Sequence, residues 1–364
     1  MMKSPPATCR ALVLNAIGEP LLLETRPTPQ PTSGSAVIKI LAAAVLSYSR
    51  DIYNGTRKYE LATPSVPGSG AIGRVAAIGP DAAKLQVGDL VFIDIYIRGR
   101  DDYSVGALSG INDGHSEASK RMMRGEWRDS TYAEYARLPL ENCFSLNEKR
   151  LLGSPTEGGL GYTIDELLYV AVQLVPFGGL RSIGLAVCDK VIISPATGAF
   201  GSAAVQVALA MGASVIAMGR NNEALENLKS KLSPDASEDR IQLIQITNDL
   251  QQEVEALAKL GPADAFFDTS PQHSGRICLM GGAMGDMAIP ASPVVRRNLT
   301  IKGKWMYERD DILKLIQMVE SGALKLGREA GCRIVGRFPM EKWKEAFDAA
   351  AEHAGPGERV SIIP

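Results

Sequence analysis

The fold is indicated most clearly by the stretch Val191-Ile-Ile-Ser-Pro-Ala-Thr-Gly-Ala-Phe-Gly201, which continues as Ser202-Ala-Ala-Val-Gln-Val-Ala-Leu-Ala-Met-Gly212. This stretch predicts a buried strand, a tight glycine turn and the start of a helix, and a second apolar run follows at residues 213–218. A glycine-rich turn in this strand–helix–strand setting is typical of a dinucleotide site. Gly198 would let the backbone approach a pyrophosphate, and Gly201 would let the helix pack closely on the strand.

The first amide groups of that helix would face the phosphates, because a helix N-terminus attracts anions. Ala196 stands where the usual pattern has its first glycine, so the interpretation depends on the two flanking strands. The predicted cofactor contacts in this turn are Thr197, Gly198, Ala199, Phe200 and Gly201.

Strand patterns alternate with helix patterns through the rest of this half of the chain. The strands are expected at residues 191–194, 214–218, 241–246, 263–268, 277–281 and 299–303. Helices are expected at residues 222–231, 250–260 and 310–321. Six strands joined by right-handed crossovers predict the α/β class, with a doubly wound parallel Rossmann sheet.

The first 150 residues have a different pattern, in which short apolar runs are separated by Gly, Pro and Asp turns. This part is predicted to be rich in β-strands. Residues 96–131 form a polar stretch that is too long for a plain hairpin loop, so it is either flexible or shapes a site. Residues 167–185 have helical spacing that is interrupted at Pro176-Phe-Gly-Gly179, and a helix at 340–352 and a strand at 359–363 end the chain.

Composition excludes several classes of protein. The 364 residues suffice for two domains, and a net charge of −2 with no basic excess argues against a nucleic-acid partner. The sequence contains no run of about 18 apolar residues and no signal-peptide core, so we expect a cytoplasmic protein without membrane contact. The five cysteines are far apart in sequence, which favours free thiols over disulfides or a cysteine-rich zinc lobe.

The residues after the second Rossmann strand favour one cofactor. In this fold an acidic residue there bonds the ribose of NAD, whereas an arginine accommodates the 2′-phosphate of NADP. The strand ends in Gly219, Arg220 and Asn221, so the acidic residue is missing and a guanidinium is present. A guanidinium pairs with phosphate in a fork. NADPH is therefore the predicted cofactor.

Several further segments resemble the medium-chain dehydrogenase/reductase superfamily over nearly the whole chain. These segments are Gly18-Glu-Pro-Leu-Leu-Leu-Glu24, Val66-Pro-Gly-Ser-Gly-Ala-Ile-Gly-Arg-Val-Ala-Ala-Ile-Gly79, Leu85-Gln-Val-Gly-Asp-Leu-Val91, Ser130-Thr-Tyr-Ala-Glu-Tyr135 and Phe338-Pro-Met-Glu-Lys-Trp-Lys-Glu-Ala-Phe347. The resemblance implies a GroES-like catalytic domain at residues 1–160, completed by 325–364, and a Rossmann domain at 161–324. It also implies a homodimer formed through the Rossmann sheets.

The chain departs from the zinc-dependent members of that superfamily. These members have a ligating Cys three residues before an Asp, and a His-Glu pair in the glycine-rich segment. The corresponding residues here are Tyr48, before Asp51, and the pair Ser69 and Gly70. None of the three is a thiolate, imidazole or carboxylate, so we predict no metal site.

Without a Lewis acid, hydride transfer is expected to an acceptor that is already activated, such as a conjugated C=C bond or a quinone. The resemblance to zinc-free quinone and enoyl reductases favours this reaction on a small molecule. Tyr48 is the first candidate for the hydrogen-bond or proton donor, because it stands where the ligand would face the nicotinamide. Tyr53, close to it in sequence, is a second candidate.

Two further positions are candidate site residues. His115 lies between Asp113 and Glu117 in the long polar segment, and a histidine beside carboxylates can act as an acid or base. Gly282 follows the fifth Rossmann strand, where the resemblance places backbone near the nicotinamide.

Other activities remain open from the sequence. A carbonyl or imine reductase, or an alcohol dehydrogenase, would use the same cofactor turn. A further alternative is an NADPH-binding member with a non-redox role, either a sensor or a cyclase or isomerase.

Overall fold

The computed structural model describes residues 4–232, 240–267, 276–280, 294, 296 and 299–364. The chain forms two compact units. The first consists of Met1–Ala171, Ile334–Ala354 and Glu358–Pro364, and the second of Val172–Arg333 and Gly355–Gly357. Both ends of the chain therefore belong to the first unit.

The first unit is built around a largely antiparallel sheet, in the order β16-β17-β3-β4-β5-β9 with β8 also paired to β3. The long strand β3 is buried along most of its length, because Val, Ile and Ala side chains cover both of its faces. The elements of the first unit are β1 Thr8–Val13, β2 Leu22–Pro27, β3 Ser35–Val45, α1 Ser49–Tyr53, β4 Ala71–Ile78, β5 Leu90–Ile93, β6 Tyr96–Arg98, β7 Gly106–Leu108, α2 Glu117–Gly125, β8 Tyr135–Pro139, β9 Cys143–Ser145, α3 Glu148–Leu152, α4 Ile164–Leu167, the start of α5 Tyr169–Ser182, β16 Arg333–Pro339, α10 Trp343–Glu352 and β17 Glu358–Ile363.

The long polar segment after residue 95 has secondary structure of its own. It contains the hairpin β6–β7 and the amphipathic helix α2. Ser116 caps α2, because its side chain accepts a hydrogen bond from the backbone of Ser119. Met123 on the inner face of α2 packs with Ile97 and Ala107 of the hairpin, so the segment has a small apolar core.

The second unit contains six parallel strands in the order β12-β11-β10-β13-β14-β15. The predicted fold class is confirmed, since this is the doubly wound order in which the chain reverses direction beside β10. The elements are β10 Lys190–Ile193, α6 Ala199–Ala210, β11 Ser214–Gly219, α7 Asn222–Leu232, β12 Ile241–Gln245, α8 Leu250–Lys259, β13 Ala265–Phe267, β14 Arg276–Leu279, β15 Thr300–Gly303 and α9 Arg309–Ser321.

Helix α5 differs from the sequence prediction. The helix runs through Pro176-Phe-Gly-Gly179 without ending there. A Cβ atom on Gly178 would lie 2.5 Å from the Cβ of Tyr307, and one on Gly179 would lie 2.1 Å from the sulfur of Met280. The two glycines therefore serve close packing of the helix, and the predicted interruption is wrong.

No helix in the described part of the chain is both long and apolar enough to cross a lipid bilayer.

Candidate active site

The dinucleotide turn lies between β10 and α6. Gly198 is the N-cap of α6, has an extended backbone and places no side chain over the first turn. Ala196 donates its N–H to the carbonyl of Met218 at 2.7 Å, which ties the turn to the end of β11. The N-terminus of a twelve-residue helix is thus presented at the carboxyl edge of the parallel sheet.

The two glycines of this turn meet different surroundings. A Cβ atom on Gly201 would lie 2.0 Å from the carbonyl oxygen of Pro195, so the turn can close only with glycine there. A Cβ atom on Gly198 would have no heavy atom within 4 Å. The surrounding protein therefore leaves room for a side chain at 198 and does not itself require a glycine there.

The end of β11 is closely packed against the dinucleotide turn. A Cβ atom on Gly219 would lie 2.9 Å from Cγ2 of Thr197, so a larger residue would require the Thr197 side chain to move. Arg220 is exposed, and its carbonyl accepts a hydrogen bond from the Gln245 side chain at 3.1 Å. Asn221 accepts from the N–H of Ala224 at 3.1 Å and so starts α7. Gly282 lies outside the described residues.

Tyr48 lies at the N-cap of α1 in the first unit. Its ring packs against the main hydrophobic core of that unit and is partly buried. Burial raises the pKa of the Tyr48 phenol to about 12, and the cations Arg57 and Arg359 oppose that rise. The phenol is therefore neutral and protonated at physiological pH.

The other two positions that correspond to metal ligands are occupied by a hydroxyl and by bare backbone. Ser69 is 1% exposed, and its hydroxyl donates to the carbonyl oxygen of Ala44. A Cβ atom on Gly70 would lie 2.9 Å from the Cβ of Ala171, so no side chain fits there. The residues present do not fit a zinc ion, which requires thiolate, imidazole or carboxylate ligands. No group of three or more His, Cys, Asp or Glu residues in the described parts of the chain is arranged to hold a metal.

A network of buried hydroxyl groups surrounds Ser69 and the Ala44 carbonyl, and the sequence does not indicate it. The Tyr132 hydroxyl donates to the same Ala44 carbonyl at 3.0 Å, and the Thr131 hydroxyl donates to the carbonyl of Ser69 at 2.6 Å. Burial raises the pKa of Tyr132 above its ordinary value. Hydroxyl pairs distant in sequence have no spacing signature, so only the segment Ser130–Tyr135 could have pointed to them.

The other two catalytic candidates lie in different surroundings. The Tyr53 hydroxyl is buried and donates to the carbonyl of Gly110 at 2.9 Å, while its ring packs on Phe347 with centroids 5.6 Å apart. Both the ring and the hydroxyl of Tyr53 therefore make contacts within the core of the first unit. His115 is exposed and lies two residues before the first residue of α2. The hydrogen bond from Lys120 lowers the pKa of the Glu60 carboxyl, and Arg124 and His115 add smaller effects in the same direction. In the described residues the Tyr53 hydroxyl bonds to Gly110 and not to Tyr48.

The family comparisons agree with the two-unit fold. Residues 32–148 match the alcohol dehydrogenase GroES-like domain, and residues 199–321 match the zinc-binding dehydrogenase domain. L-threonine 3-dehydrogenase from Yersinia pestis (strain Pestoides F) is 25% identical over 337 residues, which cover 88% of this chain and 91% of that protein.

Solved structures resemble the whole chain. An alcohol dehydrogenase from E. coli CFT073, complexed with NADH, has a TM-score of 0.76 at 18% identity and covers 99% of this chain and 100% of its own. A protein described as a zinc-binding dehydrogenase from Sinorhizobium meliloti 1021, bound to NADP, has a TM-score of 0.74 at 17% identity, and the match covers 99% of this chain and 100% of that protein. Identities this low show the fold alone.

A GroES-like sheet unit and a Rossmann unit with an open dinucleotide turn define a nicotinamide-type oxidoreductase. The chain belongs to the medium-chain dehydrogenase/reductase superfamily.

Proposed function

We propose that this protein is an NADPH-dependent, zinc-independent reductase that transfers hydride to a conjugated C=C bond or quinone of a small molecule. One observation supports this most strongly. The positions that correspond to metal ligands hold Tyr48, the bonded hydroxyl of Ser69 and the tightly packed Gly70. A site without a Lewis acid suits an acceptor that is already polarised by conjugation.

The proposed mechanism needs one proton donor from the chain. A reduced nicotinamide, when bound, supplies the hydride that adds to the β-carbon of the acceptor. The electron pair of the C=C bond then moves toward the carbonyl oxygen, and the Tyr48 hydroxyl donates a hydrogen bond and finally a proton to the enolate. Water returns the proton to Tyr48. Because the pKa of Tyr48 is raised, the phenol is in the donor form at neutral pH.

The NADPH preference is proposed from the end of β11. Gly219 leaves no carboxylate to repel a 2′-phosphate, and the exposed Arg220 can pair with that phosphate. Arg220→Ala should weaken NADPH binding about tenfold or more and leave NADH binding nearly unchanged. Lys259→Ala removes the same charge from the end of α8 and serves as the control. Equal losses for the two cofactors would contradict the proposed role of Arg220.

Two measurements test the reaction. Metal analysis of the purified protein should find far less than one zinc per chain, and exhaustive chelation should leave turnover unchanged. NADPH oxidation should proceed with enones or quinones and be much slower with simple ketones and imines. Stoichiometric zinc, or a preference for unconjugated ketones, would contradict the proposal.

Alcohol or carbonyl oxidoreduction is the second candidate. It is favoured by the similarity to proteins named L-threonine 3-dehydrogenase. Oxidation of secondary alcohols with NADP⁺, at a rate above enone reduction, would select it. Tight NADPH binding with no turnover on any acceptor would instead favour a non-redox role, as a sensor, cyclase or isomerase.

We further propose that the protein acts in the cytoplasm as a homodimer. The edge strand β15, which ends the Rossmann sheet in the described residues, offers backbone groups for pairing with a second copy.

A further inference from the structure

The guanidinium of Arg57 lies over two tyrosine rings, and one of them is that of the candidate proton donor Tyr48. The centre of its guanidinium lies 4.2 Å from the centroid of the Tyr48 ring and 5.1 Å from that of Tyr59. Both distances are in the range of attractive cation–π contacts. Arg57 is nevertheless exposed, so solvent or a ligand can reach it.

The surrounding structure fixes this arginine in place. The rings of Tyr48 and Tyr59 both pack against the main core of the first unit. The backbone N–H of Arg57 donates to the carbonyl of Asp51 at 2.7 Å, and the N–H of Tyr59 donates to the carbonyl of Arg57 at 2.7 Å. These contacts restrict the arginine before a ligand binds, so binding costs less side-chain entropy than at a mobile arginine.

The carboxylates nearest in sequence are paired with other cations. Asp51 lies 4.0 Å from Arg50, and Glu60 lies 2.6 Å from Lys120. Within the described residues, Arg57 has no carboxylate at ion-pair distance. Stacking uses the faces of the guanidinium, whereas its N–H groups lie in the plane and bind carboxylate in a fork.

A second arginine also acts on the Tyr48 phenol. Burial and Tyr59 raise the pKa of the phenol, whereas the cations Arg57 and Arg359 lower it. Arg359 itself lies 5.5 Å from the centroid of the Tyr169 ring. Two arginines beside one neutral hydroxyl create a positive potential that favours an anionic ligand.

We propose that Arg57 is a specificity-determining residue that binds a carboxylate of the substrate. The preferred acceptors would then be conjugated alkenes that carry a carboxylate group near the reacting double bond. This inference rests on the proposed reductase function, whose substrate class it narrows. Arg57 would hold the substrate beside Tyr48 and would take no part in proton transfer.

The test compares the reduction of an acid and of its ester, acetylacrylate and methyl acetylacrylate, in wild type and variants. The ester is intrinsically the more electrophilic alkene, and this difference is the same for every protein, so the readout is the change in the acid-to-ester ratio of kcat/KM. Arg57→Gln should lower that ratio about tenfold or more, the value of one charge-assisted hydrogen bond, while ester reduction is retained. Arg57→Lys should keep part of the preference, because an ammonium retains the charge without the planar fork.

Lys58→Gln is the matched control, because it removes an exposed cation one residue away. This control should keep the wild-type ratio, and NADPH affinity should be the same in all four proteins. An unchanged ratio in Arg57→Gln, an equal change in Lys58→Gln, or a loss of NADPH binding in Arg57→Gln alone would overturn the inference.

A binding measurement separates this inference from the reductase proposal. Levulinate, the saturated product of acetylacrylate reduction, and methyl levulinate are titrated calorimetrically into the full-length protein. Levulinate should bind wild type about tenfold more tightly than Arg57→Gln, whether or not acceptors are turned over. If neither acceptor is reduced but this difference is found, the reductase proposal fails and the anion site stands. If neutral enones are reduced and levulinate binds both proteins equally, the anion site fails and the reductase proposal stands.

Discussion

Tyr48 stands at the position that corresponds to a ligating cysteine in the zinc-dependent members of the superfamily. Its phenol packs on the core and keeps its proton. Burial raises its pKa, which means that the neutral form persists at pH values where an exposed tyrosine ionises. A partly buried phenol that keeps its proton can donate a hydrogen bond to a developing enolate over the whole physiological pH range.

Tyr48→Phe is predicted to lower kcat about 10²- to 10⁴-fold, the usual contribution of a positioned acid, while NADPH affinity is retained. The ratio of wild-type to Tyr48→Phe activity should stay constant from about pH 7 to pH 10, because the phenol titrates only near a pKa of about 12. Stopped-flow measurement of the hydride-transfer step across this range checks both expectations. A ratio that falls near the ordinary tyrosine pKa would contradict the buried, neutral donor.

Tyr53→Phe is the comparison for Tyr48→Phe, because the Tyr53 hydroxyl is already used in a hydrogen bond within the core. Its loss removes the hydrogen bond to the Gly110 carbonyl, which leaves a buried acceptor and should cost about 1–3 kcal/mol of stability. Turnover per folded molecule should be nearly unchanged. A large fall in kcat at normal thermal stability would instead place Tyr53 in the chemistry.

At the level of elements, the sequence predicts best where a local pattern has one structural solution. The six parallel strands follow from apolar runs separated by helical spacing, and the turn at Gly198 and Gly201 follows from its flanking strands. The predicted interruption of α5 is wrong because Gly178 and Gly179 pack against Tyr307 and Met280, which are distant in sequence. The hydroxyl network at the Ala44 carbonyl has no sequence signature for the same reason, since its members are also distant in sequence.

The glycine turn permits a test with two substitutions of the same size. Gly201→Ala should destabilise the protein by about 1–3 kcal/mol, because the new Cβ would lie 2.0 Å from the Pro195 carbonyl. Gly198→Ala should change the stability of the cofactor-free protein by less than about 0.5 kcal/mol, because its Cβ meets no atom within 4 Å. Its NADPH affinity should nevertheless fall at least tenfold, if a phosphate occupies that space.

Thermal melting without cofactor and fluorescence titration with NADPH measure the two effects separately. Normal NADPH binding by Gly198→Ala would show that the phosphates lie elsewhere.

The carboxylate of Asp165 joins α4 to the two C-terminal strands. It is 4% exposed, accepts a hydrogen bond from the Ser361 hydroxyl of β17 at 2.6 Å and lies 2.9 Å from Nε of Arg337 in β16. Asp165→Ala would leave the fully buried Ser361 hydroxyl without this acceptor, which should cost about 1–3 kcal/mol. Asp165→Asn keeps an acceptor oxygen and should cost less.

The shift in melting temperature measures this difference, at about 2–4 °C for each kcal/mol in a unit of this size. Equal stability of the Ala and Asn variants would mean that the Ser361 hydrogen bond contributes little.

At the level of the whole molecule, strand β15 is the proposed contact between the two subunits of the dimer. It is the last strand of the Rossmann sheet in the described residues, and three of its four residues are exposed or nearly so. Lys304 donates its N–H to the carbonyl of Leu279 on β14 at 3.0 Å. Because successive N–H groups alternate in direction along a strand, those of Ile301 and Gly303 point away from β14.

Ile301→Pro should therefore convert the proposed dimer to a monomer and preserve the Rossmann sheet. Proline removes the outward N–H of β15 that a second copy would need, while the hydrogen bonds to β14 do not use that group. Lys302→Pro is the control. It removes an N–H that faces β14 within the same subunit, so this variant should have a lower thermal stability than Ile301→Pro. Light scattering over a range of protein concentrations gives the mass of each variant. A dimeric Ile301→Pro protein with an intact fold would place the contact between subunits on another surface, and a monomeric wild type would rule out the proposed assembly.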